Sequence, residues 1–274
     1  MTAQTAFRRL TSAFVLAGAL SAAVATAGAE TLNMRYNVRV SGIKVFKVDY
    51  EGRLTKKAYE GKARVKPSGF GGLFLSSRSD MRVKGRMGNP SVKPEQFFMR
   101  KGKKKKMKEA TVTYAGGHVK SWRRNPPRNA EKTKAINAAI AGRTVLDPLS
   151  MLVREGLKGP KAFCQGRQRV FDGHTVYDIV FRKEGTLRDK RLNGTLYRCR
   201  LIYVPVAGMS EKKKRRAKAD PPYFDVTFAA VKDRDVGTIL VPVSATGRLN
   251  GKSFSASMKR GKIGGEKLAA RMAR

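Results

Sequence analysis

The chain has 274 residues, with 59 Lys and Arg against 20 Asp and Glu, a formal charge of +39, two cysteines and two histidines. Two histidines exclude a three-histidine catalytic zinc site by count, and two cysteines leave no ordinary Cys/His cluster, so neither metal nor cofactor is expected. The charge favours polyanionic partners and weakens the compact state by self-repulsion.

The first residues read MTAQTAFRRLTSAFVLAGALSAAVATAGAE. Arg8 and Arg9 precede an apolar run from Ala13 to Val24, and small residues at Ala25, Ala27 and Ala29 follow. That is the order of a cleaved secretory signal peptide, assigned to residues 1–29. The run is shorter than the ~20 residues a spanning helix needs. Export to the periplasm is the expectation, and the exported part then carries +37. In that compartment the polyanions are phospholipid headgroups, lipopolysaccharide phosphates and acidic polymers. Anionic envelope components are therefore the expected partners, other envelope proteins come second, and nucleic acid is not expected. Trp122 beside Arg123 and Arg124 is the sole basic–aromatic group that a single nucleic-acid strand would want.

From Met34 the apolar residues Met34, Tyr36, Val38 and Val40 alternate with Arg35, Asn37 and Arg39, the period of a half-buried strand. After Ser41-Gly42 the pattern resumes, then slips around Val45 to Val48, which predicts a β-bulge. Strand-like runs follow near 54–65, 73–86, 92–100, 107–115 and 118–123, the rhythm of an antiparallel meander. "PSGFGGLF" (Pro67 to Phe74) interrupts it, with Phe70 and Phe74 as candidates to line a ligand cavity. Asn125-Pro126-Pro127 ends the first series.

Two short helices are predicted next. The first places Ile136 and Ile140 on one face. The second has Asp147 as its N-cap, Pro148 in the first position and a stripe of Leu149, Leu152, Val153 and Leu157. It should cover an open side of the sheet.

Strands resume near 161–171, 174–183, 194–206, 222–232, 236–248 and 252–261. Asp172-Gly173 reads as a two-residue hairpin turn with His174 opening the return strand. Cys164 and Cys199 are predicted to form a disulfide, because an even count in an oxidising compartment favours pairing. Asp178 in the apolar run "VYDIVF" should face a cavity or pair with a buried Arg. "GRLNGKS" lacks the first glycine of a phosphate loop. Two basic runs are read as exposed loops. Lys103, Lys104, Lys105 and Lys106 belong to one, and Lys212, Lys213, Lys214, Arg215 and Arg216 to the other; both are candidates for docking on an anionic surface. Residues 262–274 are read as a basic, frayed tail.

Taken together, the fold class is mainly β: an antiparallel meander in one domain over 30–261, curled into an open barrel or spiral, with two helices inserted mid-chain. Five segments resemble the domain of unknown function 3108 family: Tyr36 to Gly42 (Y-x-V-x-V-x-G), Asp147 to Leu152 (DPLSML), Val170 to Gly173 (VFDG), Cys199 to Gly208 (CRLIYxPVAG) and Val241 to Val243 (VPV). The resemblance implies an exported, β-rich protein similar in style to envelope-integrity proteins and lipoprotein carriers, and it assigns no catalytic residue. The expected function is non-enzymatic: binding or scaffolding in envelope maintenance, with an amphipathic or lipid-like ligand. The alternative is an envelope hydrolase of polysaccharide or lipid, which would use Asp178 with His174.

Overall fold

The structure is a computed structural model and describes residues 29–70, 77–88, 91–103, 106–189, 194–249 and 251–272. The signal-peptide segment up to residue 28, Phe74, Lys104 and Lys105 lie outside the described residues.

Seven strands form the first series: β1 (Thr31–Val40), β2 (Ile43–Leu54), β3 (Ala58–Pro67), β4 (Arg78–Met87), β5 (Val92–Lys103), β6 (Lys106–Ala115) and β7 (His118–Asn125). Helices α1 (Ala130–Ile140), α2 (Pro148–Leu157) and the one-turn α3 (Gly159–Ala162) follow. The second series is β8 (Gly166–Phe171), β9 (Val176–Asp189), β10 (Gly194–Ala207), then helix α4 (Glu211–Ala219), then β11 (Tyr223–Asp233), β12 (Gly237–Leu249) and β13 (Lys252–Ile263), with a short β14 (Glu266–Lys267).

All of them join one antiparallel sheet in the order β7-β6-β5-β4-β3-β2-β1-β13-β12-β11-β10-β9-β8, with β14 on β13. Each series is a meander of neighbours. The link between them is long-range, because β1 pairs with β13 from Leu32↔Ile263 to Val40↔Phe254. The β2 bulge falls where the pattern slips: Val38 faces Phe46, Arg39 faces Lys44, and Val45 is the extra residue.

Strands β7 and β8 are the sheet's two edges, and hydrogen bonds do not close it. Side chains and one loop bring the edges together instead. Trp122 meets Phe171 edge-on at 5.4 Å. Residues 145–146 bridge the gap: Val145 N donates to Gly117 O at 3.4 Å, and Leu146 exchanges backbone bonds with Arg169 and Phe171 at 3.1 and 2.9 Å. Gly173 packs so closely that a Cβ there would lie 2.4 Å from the Ala110 side chain. Indole Nε1 of Trp122 donates to Asn137 of α1 at 2.9 Å, so the aromatic beside the paired arginines belongs to this seam.

The outer face is laced by a cross-strand row of alternating charge, including Arg35–Asp49 at 2.6 Å, Arg64–Asp80 at 2.9 Å and Arg100–Glu109 at 3.2 Å. Exposed pairs of this kind stabilise by ~1 kcal/mol or less each. They offset part of the repulsion on a solvent face where some basic residues oppose one another, as Arg35 does Arg260 and Lys47 does Lys66.

Three sequence expectations need correction. The run Glu211 to Lys218 is helix α4, not a loop. Lys, Arg and Ala are good helix formers, and Ser210 and Glu211 begin the segment as helix N-termini favour. The other run is an extension of the β5–β6 hairpin, where Lys103 faces Lys106. The segment 262–272 is docked rather than frayed: Ile263, Leu268 and Met272 are buried, and a turn of 3₁₀ helix spans Leu268–Arg271. Its three apolar anchors outweigh its basic composition.

Candidate functional site

Helix α2 lies across the inner face of the sheet and is fixed at both sides. At one side its N-cap is Asp147, whose Oδ1 accepts from the backbone of Leu149 and Ser150 at 3.0 and 2.9 Å. The Ser150 hydroxyl donates to the same carboxylate, and Tyr59 of β3 donates in turn to Ser150 Oγ at 2.7 Å. On the other side Gly156 touches β12, where a Cβ would come within 2.7 Å of Leu240 O. Only a glycine permits that approach. The predicted stripe coincides only in part with the buried face: Leu149 is buried with Ser150, Met151, Glu155 and Gly156, Val153 and Leu157 are partly buried, and Leu152 is 36% exposed.

Between α2 and the sheet is a groove of about 350 Å³. Met34, Tyr36 and Val38 of β1 form one wall, and Leu240, Ala245 and Ala256 of β12 and β13 form another. Leu152, Val153 and Leu157 of α2 lie over it. Its polar side chains are few: Tyr36, Tyr50 and Ser244. The Tyr36 hydroxyl donates to Pro242 O at 2.7 Å. Tyr50 fits because β2 and β3 carry glycines beside it, and a Cβ at Gly52 would lie 2.6 Å from its hydroxyl. Burial, helped by the charge of Asp147, pushes the Tyr50 phenol up to about 12. Burial likewise raises Asp147 to about 6, against the hydrogen bonds from Ser150 and Leu149. Nothing in this lining presents a nucleophile beside a base; the arrangement offers apolar contact along a channel.

The predicted site residues fall elsewhere. Asp178 is buried, as read, but its carboxylate is taken by two guanidiniums: Arg169 Nε at 2.6 Å and Arg167 Nη2 at 2.6 Å. Burial opposes the charge, and the two arginines outweigh it, holding Asp178 below the usual carboxylate range. It does not line the groove. Phe70, also outside the lining, stands 72% exposed just beyond the end of β3.

His174 lies in a four-residue turn rather than on the return strand. Phe171 pairs with Val176, and Asp172 Oδ1 accepts from the backbone of His174 and Thr175 at 2.8 and 2.6 Å. The imidazole is buried and its Nδ1 accepts from Arg124 Nε at 2.9 Å. Burial, then Lys101, Arg124 and Arg128, pull it down to about 4 against the pull of Asp172. Lys101 Nζ reaches Asp172 at 3.2 Å across the seam. Among the described residues no hydrogen bond joins His174 to Asp178, so the acid–base pair of the hydrolase reading is not assembled.

Cys164 and Cys199 are bonded, with Cα atoms 5.7 Å apart. The bond ties the α3–β8 junction to the middle of β10, and Cys164 is held at φ 60°, a left-handed conformation that a non-glycine residue adopts only when its surroundings impose it.

The family model described as "Protein of unknown function (DUF3108)" matches residues 33–239. The chain belongs to the DUF3108 family. The match runs from β1 through the first residues of β12, so it includes α2 and most of the groove. No curated protein matches this DUF3108 chain. Among solved structures it is similar to the crystal structure of a beta-barrel-like protein of domain of unknown function DUF1849 from Brucella abortus. That likeness has 9% identity and a TM-score of 0.47, covering 86% of this chain and 98% of the other. No helix among the described residues is long and apolar enough to cross a membrane.

Sequence reasoning missed Tyr36, Tyr50, Gly156 and the strands β12 and β13 as groove residues. One signal was present: Gly156 follows Leu152 by four residues inside an apolar helical stripe, where a glycine marks a close approach.

Proposed function

We propose that this DUF3108 protein is an exported, periplasmic binding protein that serves envelope maintenance without catalysing a reaction. It holds an amphipathic or lipid-like molecule with its apolar part in the α2 groove. The observation that carries this reading is the groove itself: about 350 Å³ lined almost wholly by apolar side chains, with the Tyr36 hydroxyl already bonded to Pro242. A polar substrate would find few partners in that lining, whereas a methylene chain would need none. Burying eight methylenes contributes on the order of 6 kcal/mol before ordering costs. That alone corresponds to roughly tens of micromolar. The Cys164–Cys199 bond supports an oxidising compartment.

A fluorescent long-chain fatty acid titrated into the purified protein tests the reading. Ala245 and Ala256 face each other across β12 and β13 and line the groove. The double variant Ala245→Leu/Ala256→Leu should fill it and weaken probe binding at least about tenfold, each added branch displacing chain carbons. Thermal melting of the variant confirms that it is folded. Equal affinity in variant and wild type would place the probe elsewhere and end this reading.

A further inference from the structure

Antiparallel order sends the β1–β2, β3–β4, β5–β6, β8–β9, β10–β11 and β12–β13 connections to one end of the sheet. Direct contacts tie several of them together. Ser41 N of the first turn donates to Ser253 O of the last at 2.9 Å. Lys101 of the β5–β6 hairpin reaches Asp172 in the β8–β9 turn at 3.2 Å. Gly208, just before α4, packs on that same turn, where a Cβ would come within 2.7 Å of His174 O.

Two basic runs more than a hundred residues apart in sequence are thus mounted around one turn. Lys103 and Lys106 are exposed on the hairpin, and Lys212, Lys213, Arg215 and Arg216 are exposed on α4. Among the described residues, none of these six cations forms an ion pair with a carboxylate.

The same end carries two of the most exposed large apolar side chains of the described residues, Ile43 at 52% and Phe70 at 72%. Ile43 opens β2, and Phe70 follows the end of the neighbouring β3. Ser68 N donates to Val45 O at 2.9 Å, and Gly69 lies so near Lys44 that a Cβ would be 2.9 Å from its carbonyl. Cations alone suit any polyanion. Exposed Ile and Phe at the same end of the sheet gain nothing from a hydrated acidic polymer but gain burial in the interfacial layer of a membrane.

We propose that this end of the sheet docks on an anionic lipid bilayer, with Ile43 and Phe70 entering the headgroup layer while the hairpin and α4 sit on acidic headgroups. If the groove holds a lipid-like molecule, as proposed above, the placement also serves it: the lining reaches Phe254, whose partner across the sheet is Val40, itself paired with Ile43.

Sedimentation with phosphatidylcholine vesicles, with and without phosphatidylglycerol, is the test. Wild type should bind only the anionic vesicles, more weakly as salt rises. Lys212→Gln/Lys213→Gln/Arg215→Gln/Arg216→Gln should bind on the order of a hundredfold more weakly at low salt. Ile43→Ser/Phe70→Ser should lose roughly tenfold while keeping its charge. Phe70→Trp, read as the emission difference from wild type, should shift to the blue on anionic vesicles. Three results would each overturn the proposal: unchanged binding by the cation variant, an unshifted difference emission from Phe70→Trp, or equal binding of wild type and Ile43→Ser/Phe70→Ser to both vesicles and polyglutamate. The groove-filling Ala245→Leu/Ala256→Leu should bind vesicles like wild type, so failure of the groove and failure of docking are separate outcomes.

Discussion

The two ends of the sheet handle charge in opposite ways. At the end where β1 starts and β13 finishes, Glu30 is buried and engaged by three groups. Arg234 Nε lies at 2.7 Å, Arg271 Nη2 at 2.5 Å, and the Arg234 backbone N–H donates at 3.0 Å. Arg271 also bonds Glu266 and the carbonyl of Lys232, pinning the C-terminal turn over β11 and β13. Asp233 closes the β11–β12 turn by accepting from Asp235 N and Val236 N. At the other end, the hairpin and α4 carry clustered cations beside exposed Ile43 and Phe70. With 20 acids for 59 basic residues, pairing cannot cover the whole surface. At the second end, Lys103, Lys106 and the α4 cations Lys212, Lys213, Arg215 and Arg216 stay outside the ion pairs of the described residues. The first end holds the fold, and the second is free to meet a partner.

The largest expected effect lies between the two ends, at the disulfide in the middle of β10. Cys164→Ser/Cys199→Ser reopens a 35-residue loop and should cost about 4 kcal/mol, read by urea unfolding. A loss no larger than that of an exposed substitution would show that the bond does not carry stability in the fold.

Next in size is pH, through two buried groups of opposite sign. His174 titrates at about 4 when folded, below its ordinary 6.5. The unfolded chain therefore takes the proton first, and stability falls as pH drops from about 6.5 to 4. Asp147 titrates at about 6 when folded, above its ordinary 3.8. Here the folded chain takes the proton first, and stability rises as pH drops from about 6 to 4. Each contribution is about 3 kcal/mol at most. Against wild type, His174→Gln should gain relative stability on acidification and Asp147→Asn should lose it. Parallel unfolding curves for all three between pH 7 and 4 would contradict both assignments.

Smallest is Glu30→Gln. Burial alone would raise this carboxyl, but the Arg234 backbone and the Arg271 guanidinium outweigh it and hold it below its ordinary range. Removing the charge should cost about 2 kcal/mol, less than a fully enclosed pair because Arg234 is largely exposed. Phe70→Ser, at a side chain 72% exposed, should cost less than Glu30→Gln. Comparable losses at both ends would erase the distinction between them.

Much of the fold was legible because its signals are local. Alternation marked the strands, the slip near Val45 marked the bulge, and Asp147-Pro148 marked the start of α2. Even the disulfide followed from the cysteine count and the expected export. What stayed hidden depended on distance or competition. The groove joins β1 to β12 and β13, some two hundred residues apart, and no local pattern announces that pairing. Helix α4 was hidden because a charge run looks like a loop until its helix-forming composition is weighed. The docked tail was hidden because Leu268 and Met272 are spaced among Lys, Arg and Ala. In the Asp172–Thr175 turn, the side chain of Asp172 captured two backbone N–H groups and lengthened a turn that dipeptide preference makes shorter.

The central claim is that the groove is a binding site, and native mass spectrometry of the protein isolated gently from the cells that make it tests this most directly. The account predicts a discrete added mass on the wild-type protein that is absent from Ala245→Leu/Ala256→Leu. A bare mass on both proteins, or the same adduct on both, would contradict it.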